Sequence, residues 1–559
     1  MRNRLLILVV LLCAGSLSYG QHHPKVSPDL ESRDPDAQVN VIIQYNQAVA
    51  QRHIDAVVRQ GGRHQATLAV VNGAVYSVPA KALAGLADDP EIIYISPDRS
   101  LSAAGPPPGP PGPPSPPQLV LDYKLQAVNA DLAQNAGWDG TGIGVAILDS
   151  GITDRPDFHL DPGPSRVVFS QNVIQGGPGA DDQYGHGTHV AGIAGGNGEQ
   201  SNGAYSGVAP NVNLINLLVL DKTGAGTDST VIAAIELAIH LKWQFNIRVI
   251  NLSLGRPVFE SYTVDPLCQA VEAAWKAGIV VVVAAGNDGR NNTANTNGYG
   301  TISAPGNDPY VITVGAMKTE DTASRTDDRI ASYSSKGPTL FDHVAKPDLV
   351  APGNEIISVL GDGTLIAEYK ANVIDKNYFV MSGTSMAAPM VSGAVALMLQ
   401  QNPGLTPDQV KARLMKTANK SFPFSSIAID PTSGLTYTSY YDLFTVGAGY
   451  LDVTAAMASA DTANGTALSP VATYNAQNGV VSMNDIAGKN VIWGTNVIWG
   501  TNVIWGTNVI WGTNVIWGTN VIWGSGLLSG FNVIWGTNVI WGTGVPTGEL
   551  SPVAIYGEN

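Results

Sequence analysis

The sequence predicts an α/β protein built on a parallel sheet with helices on both faces, preceded by a small α+β unit and followed by a β-rich hexapeptide repeat region. Three observations carry that expectation. Between residues 120 and 460, runs that are apolar almost throughout (144–148, 214–220, 249–254, 279–284, 311–315) alternate with amphipathic helical patterns at 229–242 and 268–277, as strands buried on both faces require. A proline-rich tract, GPPPGPPGPPSPP at residues 105–117, separates this region from shorter alternating elements before it. From residue 490 the hexapeptide NVIWGT recurs.

A chain of 559 residues exceeds one compact unit, and its 44% hydrophobic content supplies a large core. The net charge of -15 excludes a general affinity for nucleic acid phosphates. In residues 1–20, Arg2 and Arg4 precede the apolar run 5–12, and Ser18 and Gly20 follow with signal-peptidase spacing. This is the pattern of a secretory signal cleaved after Gly20, which places the protein outside the cell or at its surface. The apolar run is about half the roughly 20 residues that a membrane span needs, and no later stretch qualifies. Cys13 leaves with the signal, so Cys268 alone remains and no internal disulfide can form. Cys268 opens a helical stretch and reads as a buried structural thiol.

Residues 37–101 form the α+β unit, with strands at 39–45, 74–78 and 91–96 and helices at 54–60 and 81–87. Residues 102–119 read as an exposed polyproline II linker. The α/β region spans 120–460, a linker 461–489, the repeats 490–543 and a tail 544–559. A period of six is even, so in extended chain Val, Trp and Thr face one side and Asn, Ile and Gly the other. Stacked hairpins, a short solenoid or a self-associating segment all satisfy that pattern. The unit GLLSGF at 526–531 keeps the register without a tryptophan.

Three motifs carry chemistry. GVAILDSGI (144–152) is an apolar strand ending in Asp149; GHGTHVAG (185–192) lets a helix begin at His186; SGTSMAAP (382–389) places Ser385 at the start of a buried helix. There the helix dipole and unpaired N–H groups favour developing negative charge. A serine hydroxyl is a poor nucleophile near neutral pH and needs a base within hydrogen-bond reach. His186 fits that role, with Asp149 fixing its tautomer and stabilising the imidazolium. Asn287, in AAGND after the run 279–284, offers a side-chain donor to an oxyanion, with the Ser385 N–H as the second.

The order Asp, His, Ser in these surroundings resembles the subtilisin-like serine proteases over residues 120–460. The resemblance implies a subtilisin-like parallel-sheet fold, peptide-bond hydrolysis of protein or peptide substrates and no catalytic cofactor. It also implies that Ser253, Leu254 and Gly255, in INLSLG, form an edge that pairs with the substrate backbone by strand addition. Residues 37–101, and EIIYISPDRSL above all, resemble the family's propeptide, an intramolecular inhibitor that assists folding. The chain departs from the family at Ala388 and Met390 around Pro389, which implies altered packing, and at Arg256 beside the substrate edge, which leaves subsite preference open.

His189 follows His186 by three residues; with no HExxH and no third ligand nearby, a packed histidine outweighs zinc. Asp157 matches a position that coordinates a structural calcium in many relatives, and the loop 197–206 can supply carbonyl ligands; an ordinary polar turn is the competing reading. The metal-site residues stay unknown at this level. Two functions follow: a secreted, self-processing serine endopeptidase, or a surface or self-assembly protein built on the repeats, whose protease serves mainly its own maturation.

Overall fold

The computed structural model describes residues 23–103, 122–475 and 480–484, apart from 31–32, 175–176, 178, 294 and 431–432, together with two short strands at 492–493 and 496–497. The expected signal segment, the proline-rich tract and most of the repeat array lie outside the described residues.

In the N-terminal unit, β1 (Gln38–Tyr45), β2 (Arg63–Leu68), β3 (Gly73–Pro79) and β4 (Ile92–Pro97) form an antiparallel sheet in the order β2-β3-β1-β4. The expected helices appear at Gln51–Arg59 and Leu83–Ala87, the second extended by a 3-10 turn at Ala80–Ala82. The period of two divides the sheet's side chains. Val41, Ile43, Ala74 and Tyr76 join a small core with Val57, Leu83 and Leu86, whereas Ile42, Val75, Leu68 and Val71 join the large core of the α/β region. The sheet thus lies with its second face on the body, against the helices Asp228–Phe245 and Pro266–Lys276.

The expected linker begins later than residue 102, because Ser100–Ala103 is itself a strand, β5. In the body, β6 (Gly144–Asp149), β7 (Val167–Asn172) and β8 (Asn213–Leu218) come first. They are followed by β9 (Ala225–Thr227), β10 (Ile247–Leu252), β11 (Leu254–Gly255) and β12 (Val280–Ala284). Then come β13 (Ile312–Lys318), β14 (Arg329–Ile330) and β15 (Leu349–Pro352). The main sheet runs β14-β13-β12-β10-β6-β8-β7, with β15 also on β13, and every pairing is parallel except β13 with β14.

The chain leaves β6 for β8 on one side and only later reaches β10 on the other. That reversal opens a crevice at the carboxyl ends of β6 and β10. The helices His186–Gly195 and Thr384–Gln401 pack side by side along one face of the sheet, and Asp228–Phe245 with Pro266–Lys276 along the other.

The body also reaches past residue 460. Asp461 accepts from Arg413, the Ser469 hydroxyl donates to Asp348 (2.6 Å) inside a buried cluster with Lys346 and Lys411, and Ala345 donates its N–H to Pro470 (2.8 Å). Residues from 461 to 472 are therefore packed onto the body, not a linker. Of the repeats, Ile492–Trp493 and Asn496–Val497 pair antiparallel with each other, and the first also with Ala463–Asn464. Two successive hexads thus form a hairpin in the described part.

Candidate active site

Asp149 closes β6, and its position is fixed from two sides. The Ser150 N–H donates to Asp149 Oδ1 (2.8 Å), and the Ser150 hydroxyl accepts from the Gly187 N–H (2.9 Å) in the first turn of the His186 helix. A Cβ on Gly187 would collide with the Gly151 carbonyl, so only glycine lets the helix approach the strand end this closely. Below both lies Asp182, a buried carboxylate that accepts from the Ser150 hydroxyl, the N–H groups of Tyr184, Gly185 and Thr188, and the Thr188 hydroxyl, at 2.7–3.1 Å. Asp182 ties the strand end to the helix start. The sequence analysis passed over it, since the residue in the capping position is Gly185 and Asp182 lies outside that pattern.

With this framework, the His186 Nδ1–H donates to Asp149 Oδ1 (2.7 Å), both side chains being about 1% exposed. Burial opposes the imidazolium, but the Asp149 charge and hydrogen bond, helped by the charge of Asp182, outweigh it and raise the His186 pKa above its ordinary 6.5. His186 Nε2 is buried and has no hydrogen-bond partner among the described residues. In the tautomer fixed by Asp149, it is a lone-pair acceptor.

Ser385 sits in the first turn of the helix Thr384–Gln401. Pro389 inside that helix cannot donate to the Ser385 carbonyl, and the Ser253 hydroxyl supplies the missing donor (2.8 Å). In return, the Ser385 hydroxyl donates to the Ser253 carbonyl (3.1 Å). This reciprocal pair joins the expected nucleophile to the expected substrate edge. Asn287 stands beside them: its Oδ1 accepts from the Thr384 N–H (2.9 Å) and hydroxyl (3.0 Å), so its Nδ2 end is turned away from Thr384. Ala388 and Met390 are fully buried, in keeping with a packing role.

The edge Leu254–Gly255 is occupied by the chain's own segment. β5 lies between β11 and β9, antiparallel to both, with Leu254 opposite Ala103 and Gly255 opposite Ser102. Leu101 lies opposite Gly226, and the Ala103 N–H donates to the Gly224 carbonyl (3.0 Å).

Other candidates do different work. His189 directs Nε2 at the carbonyls of Phe379 (2.9 Å) and Ile356 (3.1 Å), and burial pushes its pKa down to about 3, so it is a neutral packed residue. Arg256 does not line the crevice; it is buried and held by Asp228 and Asp265 through four contacts of 2.8–3.0 Å. The Asp157 carboxylate accepts from the Tyr378 hydroxyl (2.6 Å) and the Gln200 N–H (3.4 Å). The Asp157 carboxylate thus has protein donors of its own, as in a polar turn. Among the described residues, no three His, Cys, Asp or Glu side chains converge as a metal-ligand set. Cys268 is buried and contacts Asn307 Oδ1 (3.3 Å).

Comparison with known proteins matches this architecture. The model of the subtilase family covers residues 140–447, more than half of the chain. Serine protease AprX of Bacillus subtilis (strain 168) is 42% identical over 291 residues, which are 50% of this chain and 62% of AprX. Subtilisin E of the same strain is 34% identical over 366 residues, 65% of this chain and 80% of that enzyme. The crystal structure of fervidolysin from Fervidobacterium pennivorans, a keratinolytic enzyme related to subtilisin, shares the fold with a TM-score of 0.57 at 23% identity, covering 82% of this chain and 66% of its own. With the strand-end aspartate, the helix-opening histidine and the helix-start serine in this order on a mostly parallel sheet, the chain belongs to the subtilase family of serine-type endopeptidases.

Proposed function

We propose that the chain is a secreted serine endopeptidase made as a self-processing zymogen, with Ser385 as nucleophile, His186 as general base and acid, and Asp149 as the group that orients and charges the base. The Ser385 hydroxyl turns from the Ser253 carbonyl to His186 Nε2, whose lone pair takes its proton as Oγ bonds to the scissile carbonyl carbon. The oxyanion accepts from the Asn287 amide and the Ser385 N–H at the positive end of the helix. His186 then returns the proton to the leaving amine, and water, deprotonated the same way, releases the acyl group.

The observation that carries this reading is β5 in the groove. A strand-addition site explains why an antiparallel segment of the leader sits between β9 and β11, with main-chain bonds on both sides. The register also supports a cut site. Since Ala103 faces Leu254, the next residue of a substrate bound on the same ladder would fall opposite Ser253, whose carbonyl receives the Ser385 hydroxyl. The scissile bond is then the one between residues 104 and 105, at the head of the proline-rich tract, and the leader left behind blocks the groove as a product.

N-terminal sequencing of the purified active form tests this, with Ser385→Ala as control. A mature terminus at Gly105 and an unprocessed Ser385→Ala precursor are expected; a terminus upstream of Ala37 overturns the zymogen reading. The second reading, an assembly protein built on the repeats, draws on the hexad hairpin at 492–497. Casein hydrolysis by the full-length chain separates the two.

A further inference from the structure

The walls of the groove pair with β5 through main-chain groups, and they bury the side chains of Leu101 and Ala103 in the large apolar core. At the upstream end the contacts change character. Arg99, the residue just before β5, is buried and inserts its guanidinium into a socket on the loop that follows β11. Glu260 Oε1 accepts from Arg99 Nη1 (2.7 Å) and Oε2 from Nη2 (3.0 Å), a two-pronged charge-assisted contact. The Arg99 guanidinium carbon stands 5.0 Å from the centroid of the Phe259 ring. The remaining donors to Glu260 are the hydroxyls of Ser27 (2.8 Å) and Tyr94 (2.9 Å). Every hydrogen bond to this carboxylate among the described residues therefore comes from the leader, and departure of the leader leaves an acid beside an aromatic ring with no partner from the body. The neighbouring cation, Arg256, is already committed to Asp228 and Asp265 and cannot neutralise it.

We propose that Glu260 and Phe259 form a distal specificity socket of the processed enzyme, which selects peptide substrates carrying an arginine five residues before the residue that supplies the scissile carbonyl. The inference rests on the peptidase reading and on the register that puts the cut after residue 104. In that register Arg99 stands in for the substrate's arginine and β5 for its backbone. Arginine fits better than lysine, because the two carboxylate oxygens and the ring match a planar fork rather than a point charge. The socket lies far from the reacting atoms, so it acts through binding and lowers KM rather than raising kcat.

The test uses the self-processed chain, freed of its leader, and N-acetylated hexapeptide p-nitroanilides of sequence Arg-Ser-Leu-Ser-Ala-Ala, with lysine, citrulline or alanine replacing the arginine. The arginine peptide is expected to show about tenfold higher kcat/KM than the alanine peptide, mainly in KM, with lysine between them and citrulline near alanine. The ratio should shrink toward one as salt rises from about 0.02 to 0.5 M. In Glu260→Gln the arginine-to-alanine ratio should itself fall to about one. Should that variant fail to mature, the four peptides on the wild-type enzyme still decide. Equal kcat/KM for arginine and alanine peptides, or a preference undiminished in Glu260→Gln, overturns the socket. Hydrolysis of none of the peptides overturns instead the peptidase reading beneath it.

Discussion

Strands β6 and β12 bury every side chain they carry, whereas β2 at the edge of the N-terminal sheet buries only Leu68. The body's strands are enclosed by their own helices. The leader's sheet closes one face on its own small core and relies on the body to cover the other. Where the two regions meet, many of the contacts are polar: Gln44 with Gln269 (2.6 Å), Asp98 with Ser229 (2.7 and 2.9 Å), and Arg99 with Glu260. Water can replace each of these, which is not true of the body's core. On the proposed zymogen reading, the chemistry stands on the part whose rigidity is its own, and the blocking segment on the part that leaves.

That contrast can be broken hardest at the nucleophile. Ser385→Ala or His186→Ala should lower turnover by about 10⁶, measured as amide hydrolysis by purified enzyme, and should leave the precursor uncut. Full activity in Ser385→Ala would end the mechanism. Asp149→Asn should cost about 10⁴ and also move the pH profile. Neutral His186 is the working base, and its raised pKa makes activity fall, as pH drops, at a point above the ordinary 6.5. Without the Asp149 charge that acidic limb should shift to lower pH. A limb that stays put would assign it to another group. Asn287→Leu should reduce kcat by about 10²–10³ with KM little changed.

Smaller effects sharpen the comparison from the leader's side. Asp98 caps the first turn of the helix Asp228–Phe245 through Ser229, so Asp98→Ala in a separately made leader should weaken inhibition in trans by about fivefold, from about 1 kcal/mol of lost capping. Unchanged inhibition would mean that β5 alone holds the leader. The smallest effect is expected from removing the repeats. A chain ending after Asn484 should hydrolyse small peptides within a few-fold of the full-length enzyme. One ending after Ala460 also loses Ser469, whose hydroxyl meets Asp348 and Lys411 inside the body, and should unfold at lower temperature. If both truncations behave alike, the packed segment 461–472 is not part of the body.

Much of the fold was legible because burial on two faces writes itself as unbroken apolar runs; β6, β10 and β12 fall within two residues of their expected limits. β2 (RHQATL) and β7 (VVFSQN) escaped because edge strands keep polar side chains toward solvent, and β15 because it is four residues long and ends in proline. The motifs marked the four proposed residues by local signatures: Asp149 closes β6, Asn287 follows β12, His186 opens a helix and Ser385 lies in the first turn of another. What supports them was not legible. Asp182 with Ser150, the reciprocal bonds of Ser253 and Ser385, and the Arg256 clasp join residues from 9 to 132 positions apart. A local pattern has no term for such pairings. Arg256, next to the substrate edge in sequence, turned out to point into the protein because two carboxylates outbid solvent for it.

Cys268 has one further consequence. It is the one cysteine among the described residues, fully buried, with burial pushing its thiol well above the ordinary range. The thiolate needed for exchange or oxidation is therefore scarce and out of reach. Among the described residues no disulfide therefore contributes, and a reductant has no bond to break there. Thiol–disulfide exchange thus drops out as a control on this part of the chain, whose lifetime is set by how seldom the sheet opens.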